Sequence, residues 1–265
     1  MTVVAGVDAL RAEHGPSFVV VGVFDGIHLG HQYLLRHLRQ AASHADARPA
    51  VITFDHHPDE ILIGAAPPLL CDPEERLQRL AAAGVAVTVV QHFDEALRMT
   101  SYDAFVERLL DRIGLRGFLM TPDAAFGHER RGTPAALAVL GAERGFEVDV
   151  VKPFVLDGRP VRSTDVRAAI AAGDLSTAAR LLGRPVAVVG AATAATGATY
   201  GSTVTFALPV ALPPPGDYDV RVSPTGRRAV HDRATVSAGT VHLTGSYSGP
   251  VRVVFTRPGV SAFAG

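Results

Sequence analysis

The first 184 residues alternate short runs of consecutive apolar positions with longer stretches in which apolar residues recur at helical spacing. This pattern predicts a parallel sheet covered by crossover helices. Phe18 to Val23 reads as a buried strand and Val51 to Phe54 as a second, while Leu34, Leu35, Leu38, Ala41 and Ala42 mark one face of a helix over Gln32 to Ser43. Asp72 and Pro73 open a helix running through Ala83, Thr100 or Ser101 opens another bearing Phe105, Leu109 and Ile113, and Thr133-Pro134 opens a third. Val85 to Val90, Gly117 to Met120 and Glu147 to Val151 complete the strand set. Ser163-Thr164 precedes a helix that closes near Gly173, and a short helix follows from Ser176 to Leu182.

After Arg184 helix formers thin out, and Val, Thr and Gly take over with the turn-forming run Pro213-Pro214-Pro215-Gly216-Asp217. Tyr218 to Val222, Thr240 to Leu243 and Val251 to Phe255 read as strands of a small barrel or sandwich. The expected organisation is an α/β, Rossmann-like domain over residues 1–184 and a small all-β, barrel-like domain over 185–265.

Composition narrows the partners. No segment approaches the roughly 20 uninterrupted apolar residues that span a bilayer, and the N-terminus lacks the basic and apolar regions of a secretory signal. A soluble, cytoplasmic protein is expected. Cys71 is the sole cysteine, which excludes an intramolecular disulfide and a multi-cysteine metal site and gives Cys71 a structural reading. The formal net charge is −1 and Lys152 is the only lysine, so no basic tract points to nucleic acid or an anionic membrane. An anionic ligand must be held by local Arg, His and backbone N–H groups.

The chemistry concentrates in Gly22-Val23-Phe24-Asp25-Gly26-Ile27-His28-Leu29-Gly30-His31. His28 and His31 follow a strand and stand at the mouth of a helix, where ligands of α/β sheets gather and unpaired N–H groups favour phosphate. Gly26 and Gly30 permit close backbone approach to an anion. Two imidazoles there can donate to phosphoryl oxygens as charge develops during transfer. The same residues also admit helix capping or, with further ligands, a zinc pair.

Four further stretches resemble, in order, segments of the bacterial FAD synthetases, the bifunctional riboflavin kinase/FMN adenylyltransferases, whose nucleotidylyltransferase motif the decapeptide also resembles. Thr53-Phe54-Asp55-His56-His57-Pro58 is similar to T-F-D-P-H-P, with His56 in place of proline; Asp123-Ala124-Ala125-Phe126-Gly127 to N/D-F-x-F-G; Ser163-Thr164-Asp165-Val166-Arg167 to S-S-T-x-x-R; and Leu182-Gly183-Arg184-Pro185 to L-G-R-P. The resemblance implies that His28, His31 and Arg167 act on the ATP phosphates together with Gly22, Phe24, Asp25, Gly26, Gly30, Ser163 and Thr164. It implies acceptor contacts for Phe54, His57, Pro58, Asp123 and Phe126, and places Asp123 at Mg²⁺. ATP and FMN are then the substrates, and a homo-oligomer is compatible with the pattern. Asp25 and Asp55, near strand ends, suit either orientation of the histidines or substrate or the capping of a turn, and neither is assigned as a general base.

Departures from the family pattern narrow the assignment. Ala124 replaces an aromatic residue, and Pro160-Val161-Arg162 stands where the family has R-x-S, so Arg159 or Arg162 could supply the missing charge. The β-rich tail faintly resembles the kinase domain at Gly216-Asp217-Tyr218-Asp219-Val220, yet it has no P-T-A-N motif and no glutamate follows Glu147. The expectation is AMP transfer from ATP to FMN without riboflavin kinase activity. Transfer to a different phosphorylated acceptor and a non-catalytic flavin- or nucleotide-binding role are the alternatives.

Overall fold

The computed structural model describes residues 1–195, 201–224 and 228–258. The chain forms two compact units, Met1–Pro67 with Pro73–Pro160, and Pro68–Asp72 with Val161–Gly265.

The first unit is built on a six-stranded, all-parallel sheet ordered β1-β4-β3-β2-β5-β6, formed by β1 (Thr2–Ala5), β2 (Ser17–Val21), β3 (Arg48–Phe54), β4 (Val87–Gln91), β5 (Leu115–Met120) and β6 (Glu147–Val150). Successive side chains on a strand point to opposite faces, so the continuous apolar runs feed two cores. Phe18, Val20 and Val51 pack with Leu35 and Leu38 of α1 (Leu29–His44) and Leu80 of α3 (Pro73–Ala82). Val19, Ile52 and Phe118 pack on the other face with Leu109 of α5 (Tyr102–Ile113) and Leu137 of α6 (Pro134–Arg144). Two single-turn helices, α2 (Asp59–Leu62) and α4 (Glu95–Arg98), follow β3 and β4. Two of the expected caps form as read: the Ser101 hydroxyl accepts from the Ala104 N–H at 3.4 Å and the Thr133 hydroxyl from the Ala136 N–H at 3.3 Å. Helix α1 starts three residues before the expected Gln32, which moves His31 inside its first turn.

The second unit carries a two-helix pair, α7 (Ser163–Ala171) and α8 (Leu175–Leu182), and a closed six-stranded barrel ordered β10-β13-β12-β11-β14-β9. A two-stranded ribbon, β7 (Val155–Leu156) with β8 (Arg159–Pro160), precedes it in the first unit. The barrel strands are β9 (Ala187–Ala194), β10 (Ser202–Thr205), β11 (Gly216–Pro224), β12 (Val230–Ser237), β13 (Thr240–Leu243) and β14 (Gly249–Pro258), every neighbouring pair antiparallel. The shift in composition near residue 184 coincides with the end of α8, whereas the division between compact units falls earlier, after Pro160. The reason is packing: Val166, Ile170, Leu175, Ala178 and Leu182 share one core with Val204, Val220, Val241 and Val253 of the barrel. Cys71 is buried, in line with a structural role. No described helix is long and apolar enough to cross a membrane.

Candidate active site

Strand β2 lies inside the sheet between β3 and β5, at the point where the strand order reverses and open α/β sheets bind ligands. The Gly22 N–H makes a last ladder bond to the Ile52 carbonyl at 3.0 Å, and the chain then turns sharply. Phe24, Gly26 and Ile27 all take positive φ, at 53°, 79° and 39°, a conformation that costs non-glycine residues roughly 1–2 kcal/mol each. Three side chains hold the strained loop. The Thr53 hydroxyl and Arg76 Nη1 both donate to the Val23 carbonyl, at 2.9 and 3.2 Å, and Gln32 Nε2 donates to that of Ile27 at 3.0 Å. Arg76 Nη2 also reaches the Phe54 carbonyl at 2.7 Å, so one buried guanidinium ties the loops after β2 and β3 together.

The loop delivers both histidines to the N-terminus of α1. His28 is its N-cap, with Nδ1 accepting from the His31 N–H at 3.3 Å. Capping is therefore real, and it does not exhaust the residue: with Nδ1 an acceptor, the neutral ring carries its proton on Nε2. His31 stacks on His28 with centroids 3.7 Å apart and an 18° interplanar angle, and Phe24 flanks it at 5.0 Å. Burial, and then the proximity of His28, hold the His31 pKa well below the usual imidazole value. His31 is neutral at pH 7, and its Nδ1 is buried with no hydrogen-bond partner. A buried polar atom left unsatisfied costs about 1–3 kcal/mol, which a ligand bound against it would recover. Asp25 is also buried, at the start of the turn.

Beside Gly22 and Val23 opens a cavity of ≈ 650 Å³, lined mainly by apolar side chains of the first unit. Phe54, His57, Pro58 and Phe126, four of the five residues expected at the acceptor, line it; Asp123 does not. Phe126 closes one wall against Phe105 and Phe118, at 5.6 and 5.5 Å, and Phe54 meets Phe93 edge-on at 5.5 Å on another. Ala124 also lines the cavity, so the aromatic-to-alanine departure changes its wall. The carboxylate of Asp123 is exposed and accepts from the Thr121 hydroxyl at 2.8 Å, while Arg130 donates to its backbone carbonyl at 3.1 Å. Gly127, at φ 76°, lets this loop press on α5, because a Cβ there would sit 2.6 Å from the Tyr102 nitrogen.

Asp55 serves neither motif histidine. Its carboxylate pairs with His92 at 2.7 Å and His56 at 3.3 Å. Burial alone would raise its pKa, yet the hydrogen bonds from His92 and His56 hold it below the usual value, and the same contact raises that of His92.

Ser163, Thr164 and Arg167 belong to the second unit. The pair lies inside the helix it was expected to precede: Arg162 is the N-cap of α7, without a side-chain cap bond, and the two hydroxyl residues occupy its first turn. Arg167 is half-buried, with Nε donating to the Pro68 carbonyl at 2.8 Å. Gly30 is the second residue of α1. Arg76, Phe93, Phe105 and Phe118 are site residues that sequence reading did not assign to it. The signal for the phenylalanines was their position on elements flanking the motif loops; Arg76 gave none.

The family model for FAD synthetase matches residues 10–165, more than half of the chain. The chain belongs to the FAD synthetase family. Its curated relatives include the bifunctional riboflavin kinase/FMN adenylyltransferases of Haemophilus influenzae, 36% identical over 65% of this chain and 56% of that protein, and of Pseudomonas fluorescens, 35% identical over 72% and 61%. That of Listeria monocytogenes is 32% identical over 71% of this chain and 60% of its own length. The matched region thus spans about three fifths of each relative. A solved structure described as a macrolide-efflux protein from Streptococcus pneumoniae aligns with a TM-score of 0.83 at 23% identity, covering 100% of this chain and 93% of that one, a likeness of fold.

Proposed function

We propose that this FAD synthetase family member transfers AMP from ATP to FMN, giving FAD and pyrophosphate. The observation that carries the proposal is the stacked His28–His31 pair at the N-terminus of α1, with the His31 Nδ1 buried and unpartnered. In the reaction an oxygen of the FMN phosphate attacks the ATP α-phosphorus, and the bond to the bridging oxygen of the leaving pyrophosphate breaks. No protein nucleophile is needed. The His28 Nε2–H and the α1 N-terminus stabilise charge on the phosphoryl oxygens, and positioning supplies much of the remaining rate. Neutral His31 offers Nδ1 as donor or acceptor according to its tautomer.

The cavity beside Gly22 suits a flat aromatic ring system, because aromatic walls favour stacked and edge-on packing and ligand sites are concave and largely apolar. Mg²⁺, when bound, neutralises phosphate charge. Asp123 would hold it: an exposed carboxylate is a hard oxygen donor, and Mg²⁺ commonly takes one or two carboxylates plus substrate phosphates. The β-barrel lacks both the P-T-A-N motif and any glutamate, so we assign it no riboflavin kinase activity.

A second reading rests on Ala124. Its small side chain on the cavity wall favours an acceptor of different shape, still phosphorylated, in place of FMN. Incubation of the full chain with ATP, Mg²⁺ and either FMN or riboflavin, followed by separation of flavins and pyrophosphate, tests both. FAD from FMN and no FMN from riboflavin is the expected result. Pyrophosphate formed only with another phosphorylated acceptor establishes the second reading, and ATP binding without turnover on any acceptor refutes both.

A further inference from the structure

Outside the phosphate and cavity residues, the ends of β3 and β4 carry one cluster of metal-binding side chains among the described residues: Asp55, His56 and His92. One ligand atom from each lies within 4.8 Å of the others. The strands deliver them in register. Phe54 is the partner of Gln91 in the β3–β4 pairing, so Asp55 and His92 are the next residues on adjacent strands, and the Asp55 N–H donates to the Gln91 carbonyl at 3.2 Å. His92 Nδ1 stands 2.7 Å from Asp55 Oδ2, and His56 Nδ1 3.3 Å from Asp55 Oδ1. In a tetrahedral zinc site with bonds of about 2.0–2.1 Å, neighbouring donors are roughly 3.3 Å apart, so small side-chain rotations close the set. The His56 N–H already donates to Asp55 Oδ1 at 2.8 Å, which fixes the carboxylate as an outer hydrogen bond does around a metal.

We propose that Asp55, His56 and His92 form a binding site for a zinc-like divalent cation, with water completing the coordination. Two imidazoles and one carboxylate select a borderline cation over Mg²⁺, which prefers an all-oxygen shell. All three side chains are accessible, so an ion enters from solvent. The cation would fasten the loop after β3 to the loop after β4. Their neighbours Phe54 and Phe93 line the cavity, so the clasp would brace that wall from outside. His56 stands where the family pattern T-F-D-P-H-P has proline, so the site belongs to this chain's own sequence.

Calorimetric titration of the metal-free full chain with ZnCl₂, in the absence of nucleotide and flavin, tests this. The expected result is one site per chain, weakened by about 10²-fold or more in His92→Ala and in His56→Pro, since even outer-shell changes cost 10–100-fold. Zinc should raise the melting temperature of the wild type and leave that of the double variant unchanged. X-ray absorption at the zinc edge should show two imidazoles. Absence of binding by the wild type, or equal affinity in a folded His56→Pro/His92→Ala variant, overturns the proposal, and the adenylyl-transfer assay is independent of either outcome.

Discussion

Replacing Arg76 by methionine should loosen the loop that carries both histidines without touching any reacting atom. The substitution keeps the aliphatic stem and removes the guanidinium, whose Nη1 donates to the Val23 carbonyl at 3.2 Å and whose Nη2 donates to the Phe54 carbonyl at 2.7 Å. Hydrogen bonds from a charged donor contribute about 1.5–3 kcal/mol each. Val23 keeps the bond from the Thr53 hydroxyl, and removing the guanidinium also relieves its desolvation, so the net loss is placed at about 2–3 kcal/mol. That energy restrains a segment with three positive-φ residues, and its relaxation by ~1 Å would lower turnover about 10²-fold. Urea unfolding gives the stability change, and initial rates of FAD formation give kcat and KM separately. The expected pattern is a fall in kcat with a smaller change in the KM for FMN, partly rescued in Arg76→Lys. A stability change below about 0.5 kcal/mol with unchanged kcat would refute the clasp.

Three further outcomes are expected from the same geometry. His28→Ala and His31→Ala should each lower turnover by about 10²-fold with folding intact, as expected for loss of an oxyanion-type donor; near-normal rates in both would remove them from the mechanism. Because the folded pKa of His31 is depressed, its stabilising contribution is fully present above the unfolded value of about 6.5 and is lost as pH falls toward the folded value, with a slope approaching ~1.4 kcal/mol per pH unit. His92 has the opposite sign, since its raised pKa stabilises below the unfolded value and that contribution is lost as pH rises through the folded one. Urea midpoints of wild type and His31→Asn over this range should therefore converge on acidification, and parallel curves would contradict the assignment. Gly127→Ala places a Cβ 2.6 Å from the Tyr102 nitrogen at φ 76° and should cost ~2–3 kcal/mol while raising the KM for FMN through displacement of Phe126; an unchanged melting temperature and KM would show that the loop does not shape the cavity.

Strands β2 to β5 were legible from their apolar runs, and the principal helices from amphipathic faces and side-chain caps, as Ser101 and Thr133 illustrate; the edge strand β1 was not expected, and β6, Glu-Val-Asp-Val, carries only a short alternating pattern. The barrel was legible only in part. Strand β12 reads Val-His-Asp-Arg-Ala-Thr-Val-Ser, and its inward positions, Ala234 and Val236, are too sparse among polar neighbours to mark it, although closure against β11 and β13 buries them. Helices α7 and α8 kept their expected form, but the core they share with the barrel depends on contacts far apart in sequence. The motif histidines announced themselves through spacing after a strand. Arg76 did not, because a charged residue in an amphipathic helix normally faces water, and its burial is set by two carbonyls 53 and 22 residues away. Asp55 was legible as a strand-end carboxylate with His56 beside it in the chain, yet its partner His92 emerges only from the pairing of β3 with β4.

Adenylyl transfer itself is tested most directly by following the phosphorus atoms. With ATP labelled in the α-phosphate, FMN and Mg²⁺, label should appear in FAD in a one-to-one ratio with pyrophosphate, and both should fall together in His28→Ala. Label that remains in ATP, or that leaves as AMP without entering any flavin or other phosphorylated acceptor, would contradict transfer at this site.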